Sequence, residues 1–166
     1  NASDPEEIRV ATVKDGRLEE FRVESAAREI TQGNIYKGVI TRIEPSLQAA
    51  FVDYGGDRNG FLQKQDLHWD YFHEEDRGDT PLQRLVKRGQ GLMVQIGKDP
   101  IGTKGAMLTT YISLPGRYVV LMPGHSVRGV SRKIDDEAER ARLKQIVGEL
   151  EVPEGFGVIV RTAGIG

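Results

Sequence analysis

The stretch from residue 34 to residue 55 reads NIYKGVITRIEPSLQAAFVDYG, and it predicts two consecutive β-strands. The first strand covers residues 35–43, and Pro45 breaks it because a proline donates no hydrogen bond to a ladder. The second strand covers residues 47–54 and ends at a pair of glycines. This part of the chain therefore predicts a β-structure.

Side-chain alternation in the second strand separates a core face from a solvent face. Successive side chains point to opposite faces, so Ala50, Val52 and Tyr54 share one face and Phe51 lies on the other. The first set makes the better core face, which leaves Phe51 facing solvent. Phe61 begins a later short segment, and we expect it on the same surface. Two exposed rings suit base stacking, although two core phenylalanines would give the same sequence.

Further short segments extend the prediction outward. Residues 91–98 and 106–111 are predicted strands, and a small helix is predicted between Pro81, at its first position, and Gly89, where it stops. Several short strands with glycine-rich turns and one small helix indicate a compact barrel of about eighty residues.

The chain on the amino-terminal side of the barrel predicts a hairpin. Two alternating runs, residues 8–13 and 18–23, flank a turn that contains Asp15 and Gly16, and Asp-Gly is a strong hairpin signal. Because two strands alone bury little surface, we expect this hairpin to join a larger sheet.

The chain on the carboxyl-terminal side predicts an α+β segment. Residues 117–122 and 157–162 are predicted strands, and a helix is predicted to begin at an Asp136 cap and to end by Pro153. Four apolar residues spaced i, i+3, i+4 and i+7 give the helix one apolar face: Leu143, Ile146, Val147 and Leu150.

Composition excludes several classes of protein. The 166 residues contain no cysteine, which excludes disulfide scaffolds, cysteine-ligated metal sites and thiol nucleophiles in this chain. No apolar run is long enough for a transmembrane helix, and residues 1–7 do not resemble a signal peptide, so a cytoplasmic location is expected. The chain stops within a glycine-rich turn, which favours a fragment of a longer protein.

The charge is small overall and uneven along the chain. The formal net charge is −2, yet residues 101–134 contain no acidic residue. Such a layout predicts either a basic, phosphate-binding face or a solvated loop balanced by its acidic flanks. The candidate phosphate contacts near the two rings are Lys37, Arg58 and Lys104.

Several motifs together resemble the ribonuclease E/G family and its S1 RNA-binding domain. They follow the family's order and cover nearly all of the chain beyond residue 34: NIYKGVITRIEPSLQAAFVDYG at 34–55, GFL at 60–62, GTKGAMLTT at 102–110, LMP at 121–123, VSRKI at 130–134 and VRTAG at 160–164. The hairpin resembles the family's first strands more weakly, and residues 66–83 are the least familiar segment.

The resemblance implies a mainly β fold with some α-structure. It places a five-stranded S1 barrel of the OB-fold type, residues 32–111, between the hairpin and the α+β segment. The hairpin, residues 1–31, would be the first part of a ribonuclease-H-like subdomain. Residues 112–166 would form an incomplete 5′ sensor.

The resemblance also implies an activity for the whole protein. Members are Mg²⁺-dependent, single-strand-specific endoribonucleases of RNA processing and decay that prefer a 5′-monophosphate end. Their catalytic aspartates, zinc-binding cysteines and oligomer contacts lie in later regions. We therefore expect no catalytic residue and no bound metal in this chain, a monomer in isolation, and no cleavage by the fragment alone.

Family roles map onto individual positions here. Phe51, Phe61 and Lys104 match residues that hold single-stranded RNA. The positions that match the 5′-monophosphate sensor, including one supporting cation, are Arg161, Thr162, Gly116, Val120 and Arg132. The plain alternative for Arg161 is a strand-end cation paired with Glu149 or Glu151.

Three other readings are weaker. Residues 102–105 lack the full spacing of a phosphate-binding loop. A metal site at His68, His73 and Glu74 is weaker because these residues lack a helical metal-binding motif. A metal site at the aspartates around residue 55 is weaker because turn chemistry explains them more simply. A non-catalytic S1-type RNA-binding module remains the alternative for the whole chain, but such a module would end near residue 106.

Overall fold

A computed structural model describes residues 7–25 and 31–166 of the chain. The chain divides into two compact units, Asn1–Gln32 and Gly33–Gly166. No helix in the described ranges is long and apolar enough to cross a membrane.

The described part of the first unit is the predicted hairpin. Strand β1 (Glu7–Lys14) pairs antiparallel with β2 (Arg17–Ser25). Asp15 and Gly16 both have positive φ angles, 51° and 75°, which is the backbone of a tight hairpin turn. Within residues 7–25 and 31–166 the hairpin forms a two-stranded sheet of its own, so the expected larger sheet is not seen there.

The second unit begins with a closed barrel of five strands, which confirms the predicted fold class. The strands neighbour one another in the order β3-β4-β5-β7-β6, and β6 closes onto β3. Only the β5–β7 pair is parallel. The bounds are β3 Ile35–Glu44, β4 Ala49–Asp53, β5 Gly60–Gln63, β6 Gly91–Lys98 and β7 Met107–Thr109.

Alternating apolar side chains fill the barrel. As the sequence predicted, Ala50 and Val52 are buried, Tyr54 packs against the core, and Phe51 is only half-buried. Ala49 is buried as well, although it shares the outer face with Phe51. The largest fully buried side chains of the barrel are Ile40, Leu62, Leu82, Leu85, Ile96 and Leu108. One continuous apolar core therefore supports the outer surface.

The connection between β5 and β6 differs from its prediction. Helix α1 is a single turn, Leu82–Leu85, and does not extend to Gly89. The Thr80 hydroxyl accepts from the Arg77 N–H and does not cap the helix. Instead the side-chain oxygen of Gln48, from the turn before β4, accepts from the Leu82 N–H at 2.9 Å. A cap supplied from 34 residues away leaves no local signal in the sequence.

A four-stranded sheet and one helix form the rest of the second unit. The strand order is β10-β11-β9-β8, with β10 and β11 parallel. The bounds are β8 Leu114–Pro115, β9 Val119–Pro123, β10 Arg128–Val130, α2 Glu137–Glu149 and β11 Phe156–Val160. The predicted strand at 117–122 thus begins two residues late, because Arg117 and Tyr118 form the turn between β8 and β9.

Helix α2 is capped as predicted but buries a narrower face. The Asp136 carboxylate accepts from the Glu139 N–H at 2.7 Å. Leu143 and Val147 are buried, whereas Ile146 and Leu150 are 41% and 39% exposed, so the predicted four-residue face is wrong for those two. The helix packs mainly on β10 and β11, and these two short strands cover only a narrow part of its surface.

Arg128 donates hydrogen bonds to the backbone carbonyls at the carboxyl end of α2. Its guanidinium donates to the carbonyls of Leu150 at 2.9 Å, Gly148 at 3.4 Å and Val147 at 3.5 Å. These carbonyls have no partner within the helix, and a cation there also complements the helix dipole. One cation of the acid-free stretch is therefore structural.

Buried polar side chains connect the barrel to the four-stranded sheet. The Gln95 amide donates to the carbonyls of Gly33 and Ser113, and its oxygen accepts from the Ser113 N–H. The His68 imidazole donates from Nε2 to the Gly124 carbonyl at 2.9 Å. Because buried amides and imidazoles need partners, these contacts fix the two parts of the unit against each other.

The burial difference along α2 can be tested with two substitutions. Leu143→Ala should lower the free energy of unfolding by about 2–5 kcal/mol because it opens a cavity under the helix. Ile146→Ala, in the next turn, should cost about 1 kcal/mol or less because its side chain is partly solvated. Urea denaturation measures both values, and equal losses would contradict this packing.

Candidate functional site

Two aromatic rings meet on the outer face of the barrel. Phe51 of β4 lies directly opposite Phe61 of β5, and their ring centroids are 5.6 Å apart at an interplanar angle of 66°. Both side chains are half-buried, so neither is the core residue of the alternative interpretation. The pair presents a partly exposed aromatic surface on a rigid sheet, which is suitable for stacking on flat ligands.

A cation covers one ring of this pair. The Arg42 guanidinium carbon lies 4.4 Å from the centroid of the Phe51 ring, within cation–π range. A bulge between Ile40 and Arg42 places Arg42 opposite Phe51, and the extra residue Thr41 bonds to the Phe51 carbonyl at 3.1 Å. The outer surface therefore consists of two rings and a planar cation.

The sequence analysis did not single out Arg42. In an unbroken strand, Arg42 would share a face with buried Ile40, two residues earlier. The bulge turns Arg42 outward. A bulge depends on how two strands pair, so the residues next to Arg42 in the sequence do not predict it.

Two of the predicted phosphate contacts converge at one end of the ring pair. Arg58 lies in the loop between β4 and β5, and its guanidinium donates to the Gly102 carbonyl at 2.8 Å. Lys104 lies in the turn after Gly102, where Ile101 and Lys104 exchange two backbone hydrogen bonds. Both side chains are exposed. This end of the surface is therefore basic and faces solvent.

The third predicted phosphate contact lies farther along the outer face. Lys37 of β3 is exposed and lies opposite Met93 of β6. It shares its face with Val39, which pairs with Asp53 of β4. Among the contacts of the described residues, none joins Lys37 to the two rings.

A second group of predicted residues meets at one edge of the four-stranded sheet. Strands β10 and β11 run parallel with Val130 opposite Val160, so Arg132 and Arg161 leave the sheet at the same edge. The Ser131 N–H donates to the Val160 carbonyl at 2.8 Å and fixes the two exits side by side. Arg132, Arg161 and the adjacent Thr162 are exposed.

The turn between β8 and β9 completes this edge. The Arg161 guanidinium donates to the Gly116 carbonyl at 2.6 Å, and the Arg161 N–H donates to the Tyr118 carbonyl at 2.7 Å. Val120, the second residue of β9, is half-buried opposite Ile159 of β11. All five predicted sensor residues therefore lie in or next to one edge, which we call the sensor edge: Arg161, Thr162, Gly116, Val120 and Arg132.

The charge of Arg161 is not neutralised by a carboxylate in the described ion pairs. Its partner is a carbonyl oxygen, and Glu149, a partner in the plain alternative, instead accepts from Gln145. Arg117, which the sequence did not single out, stacks over Tyr118 at 5.1 Å in the same turn. The sensor edge is therefore rich in cations that have planar donor groups.

Glu139, which accepts a hydrogen bond from the Gly166 N–H, is already paired with an arginine. Two hydrogen bonds from Arg142 lower the pKa of Glu139 to about 2, against a smaller opposing effect of burial, and the Gly166 N–H contributes. Glu139 therefore stays ionised and paired at neutral pH.

Two of the weaker candidate metal ligands make structural contacts instead. Asp53 accepts from the Gly55 N–H at 3.0 Å, which is the turn contact that the sequence suggested. Glu74 makes a bidentate pair with Arg84. Across the two described ranges, no group of three or more histidine, aspartate or glutamate residues is placed to hold a metal ion.

Comparison with known proteins separates the same two regions. An S1 RNA-binding domain profile matches residues 29–98, and a ribonuclease E/G family profile matches residues 113–166. Ribonuclease E of Escherichia coli (strain K12) is 48% identical over all of this chain and 16% of its own length. Ribonuclease G of the same organism is 48% identical over 98% of this chain and 34% of its own length.

A third relative is similarly identical over the whole of this chain. Ribonuclease E of Haemophilus influenzae is 47% identical over all of this chain and 18% of its own length. The chain thus spans between 16% and 34% of the length of these three curated relatives.

The position of the basic loop depends on a close backbone approach that can be tested. A side-chain carbon added at Gly105 would lie 2.1 Å from the Asn59 carbonyl oxygen, so Gly105→Ala must displace the loop that carries Lys104. We expect a loss of about 1–3 kcal/mol in the free energy of unfolding. The control Gly97→Ala, with 3.5 Å to the nearest atom, should change it by about 0.5 kcal/mol or less. Equal effects would contradict the close approach.

Proposed function

The chain belongs to the ribonuclease E/G family, and we propose that it is the part of an endoribonuclease that holds single-stranded RNA and recognises its 5′ end. One observation carries this proposal: the Phe51–Phe61 pair lies on the outer face of a barrel that matches the S1 RNA-binding domain. The sensor edge lies in the region that matches the ribonuclease E/G family.

Stacking on the barrel would hold the strand without selecting its sequence. Every base has a π-face, so two exposed rings accept any base, and the Arg42 guanidinium offers another flat surface beside them. Arg58 and Lys104 at one end of the rings would contact phosphates, and Lys37 would do so farther along the strand. The rings are accessible only to bases that are not paired in a duplex, which favours single-stranded RNA.

The sensor edge would bind the terminal phosphate. The Arg161 guanidinium is already oriented by the Gly116 carbonyl, and a planar fork of donors suits phosphate oxygens. The Thr162 hydroxyl can add a hydrogen bond, Arg132 adds charge, and Val120 and Gly116 would border the terminal nucleotide. A monophosphate needs only a small set of donors, so we expect this edge to prefer it to the bulkier and more highly charged triphosphate.

We assign no step of bond cleavage to residues of this chain. The resemblance implies magnesium and zinc for the whole protein, and within the described residues no group of three or more possible ligands is placed to hold a metal ion. Mg²⁺-dependent cleavage, a cytoplasmic location and oligomer formation therefore remain proposals for the whole protein.

A non-catalytic S1 module is the less favoured alternative. Such a module requires only the barrel, whereas this chain continues into β8–β11 and α2, where the ribonuclease E/G profile matches.

The ring pair gives a direct test of RNA binding. A labelled single-stranded RNA titrated against Phe51→Ala or Phe61→Ala should bind more weakly by about 1–3 kcal/mol for each lost ring. Phe21→Ala, which removes an exposed phenylalanine of the hairpin, is the control and should leave the affinity unchanged. Unchanged affinity in the double variant would refute the stacking role.

The sensor edge gives a second test. The chain should bind 5′-monophosphorylated RNA more tightly than 5′-hydroxyl RNA, and Arg161→Gln should remove that preference while retaining binding through the rings. Arg161→Lys should retain part of it, because lysine keeps the charge but loses the fork. Competition binding with the two RNAs measures the ratio, and Lys144→Gln on exposed α2 is the control. A ratio that Arg161→Gln does not change would contradict the sensor role.

A further inference from the structure

A groove lies beside the ring pair, in the segment that is least familiar from the sequence. It has a volume of about 630 Å³, within the range of ligand sites, and it is bordered by the turn before β4 and by the segment that follows β5. We call it the Trp69 groove. The side chains used below are Gln63, Lys64, Gln65, Trp69, Asp76 and Tyr111.

The indole of Trp69 is an exposed but fixed platform. Its side chain is 60% exposed, and its other face rests on the His68 imidazole, with ring centroids 3.9 Å apart. That imidazole is buried and held at both nitrogens: Nε2 donates to the Gly124 carbonyl, and Nδ1 accepts from the Asp70 N–H. A ring held in this way loses little conformational freedom when a ligand stacks on it.

The charges that line the groove cancel. The Lys64 ammonium lies 3.1 Å from the Asp76 carboxylate and also donates to the carbonyls of Gly78 and Thr80. Burial alone would raise the pKa of Asp76, but hydrogen bonds from Lys64 and the Gly78 N–H lower it overall, so Asp76 is ionised at neutral pH. The lining therefore offers aromatic and amide groups without net charge.

The amide groups suit the edge of a nucleobase. Gln65 donates to the side-chain oxygen of Gln63 at 3.0 Å, which aligns the two amides at one wall. Each amide carries both a donor and an acceptor, as do the edges of bases. Burial and the nearby Asp66 raise the pKa of Tyr111, so its phenol remains a neutral donor.

The groove continues the ring surface along the same strands. Gln63 lies two residues beyond Phe61 on β5 and on the same face, opposite Ala49, just as Phe61 lies opposite Phe51. The basic loop with Arg58 lies at the other end of these strands. The rings thus lie between a phosphate-binding end and the groove.

We propose that the Trp69 groove is an additional base-binding site, in which Trp69 stacks on a base of the RNA strand that crosses Phe51 and Phe61. This inference rests on the proposed RNA binding. A basic peptide is the competing occupant, since Glu74 and Glu75 border the adjoining cavity, but a cationic ligand would meet a lining whose carboxylate, Asp76, is already paired with Lys64.

Trp69 reports on its own occupancy because it is the only tryptophan in the chain. Single-stranded RNA long enough to pass the ring pair should quench its fluorescence, and an arginine-rich peptide should not. Trp69→Ala should weaken binding of that RNA by roughly 5- to 150-fold, whereas Trp69→Phe should retain most of the affinity. Gln65→Leu supplies a second variant that leaves the platform in place and should also weaken binding.

The salt dependence separates a base contact from a phosphate contact. Trp69→Ala should leave the slope of log affinity against log salt concentration unchanged, whereas Arg58→Gln should reduce it by about 0.7. A structural defect in the barrel would alter both the slope and the melting temperature.

The outcomes separate this inference from the proposed function. The groove proposal is wrong if RNA does not quench Trp69 fluorescence and Trp69→Ala binds RNA as tightly as the wild-type chain. If Phe51→Ala still weakens RNA binding in that case, the proposed RNA function stands. If RNA does not bind the wild-type chain, the proposed function fails first. Quenching by the basic peptide alone would also overturn the groove proposal.

Discussion

The barrel closes because two glycines, Gly60 of β5 and Gly105 just before β7, let these two strands approach each other closely. An added carbon at Gly60 would lie 2.4 Å from a Leu108 methyl group, and one at Gly105 would meet the Asn59 carbonyl. This contact makes the only parallel strand pair of the barrel and lets the Phe61 N–H donate to the Ala106 carbonyl at 2.8 Å. Closure thus brings the basic turn at Lys104 to the surface where the pairing of β4 with β5 places Phe61 beside Phe51. The surface that carries the two rings and Lys104 therefore depends on the close packing at Gly60 and Gly105.

Features encoded by neighbouring residues could be predicted from the sequence. Alternation around Phe51, the cap at Asp136 and the turn at Gly16 all arise within a few residues, and the structure has them. Features that depend on remote partners were missed or misjudged: Gln48 caps α1 from another turn, and a bulge turns Arg42 outward. The Trp69 groove belongs to this second class, because Lys64 orders its wall by bonds to residues 12 to 16 positions away.

The sensor edge shows how a parallel strand pair gathers distant residues. Gly116, Arg132 and Arg161 are spread over 46 positions of the sequence, and only the family resemblance grouped them. The register of β10 against β11 places two of these cations at one edge, and the Arg161–Gly116 bond adds the turn. Cations of the same region have different structural roles: Arg128 donates hydrogen bonds to carbonyls at the end of α2, whereas Arg161 is exposed to solvent.

The Gln95 side chain joins the start and the end of the barrel segment. Its one amide holds the carbonyl of Gly33, where the segment begins, and both backbone groups of Ser113, where it leaves. Because one side chain bonds both ends of this segment, the ends lie close together. A segment with closely spaced ends can be inserted into another protein with little change in the backbone of that protein. Moving residues 33–113 into another scaffold would preserve the Gln95 contacts, because both of their partners lie within the segment, but it would remove the His68–Gly124 bond to the four-stranded sheet.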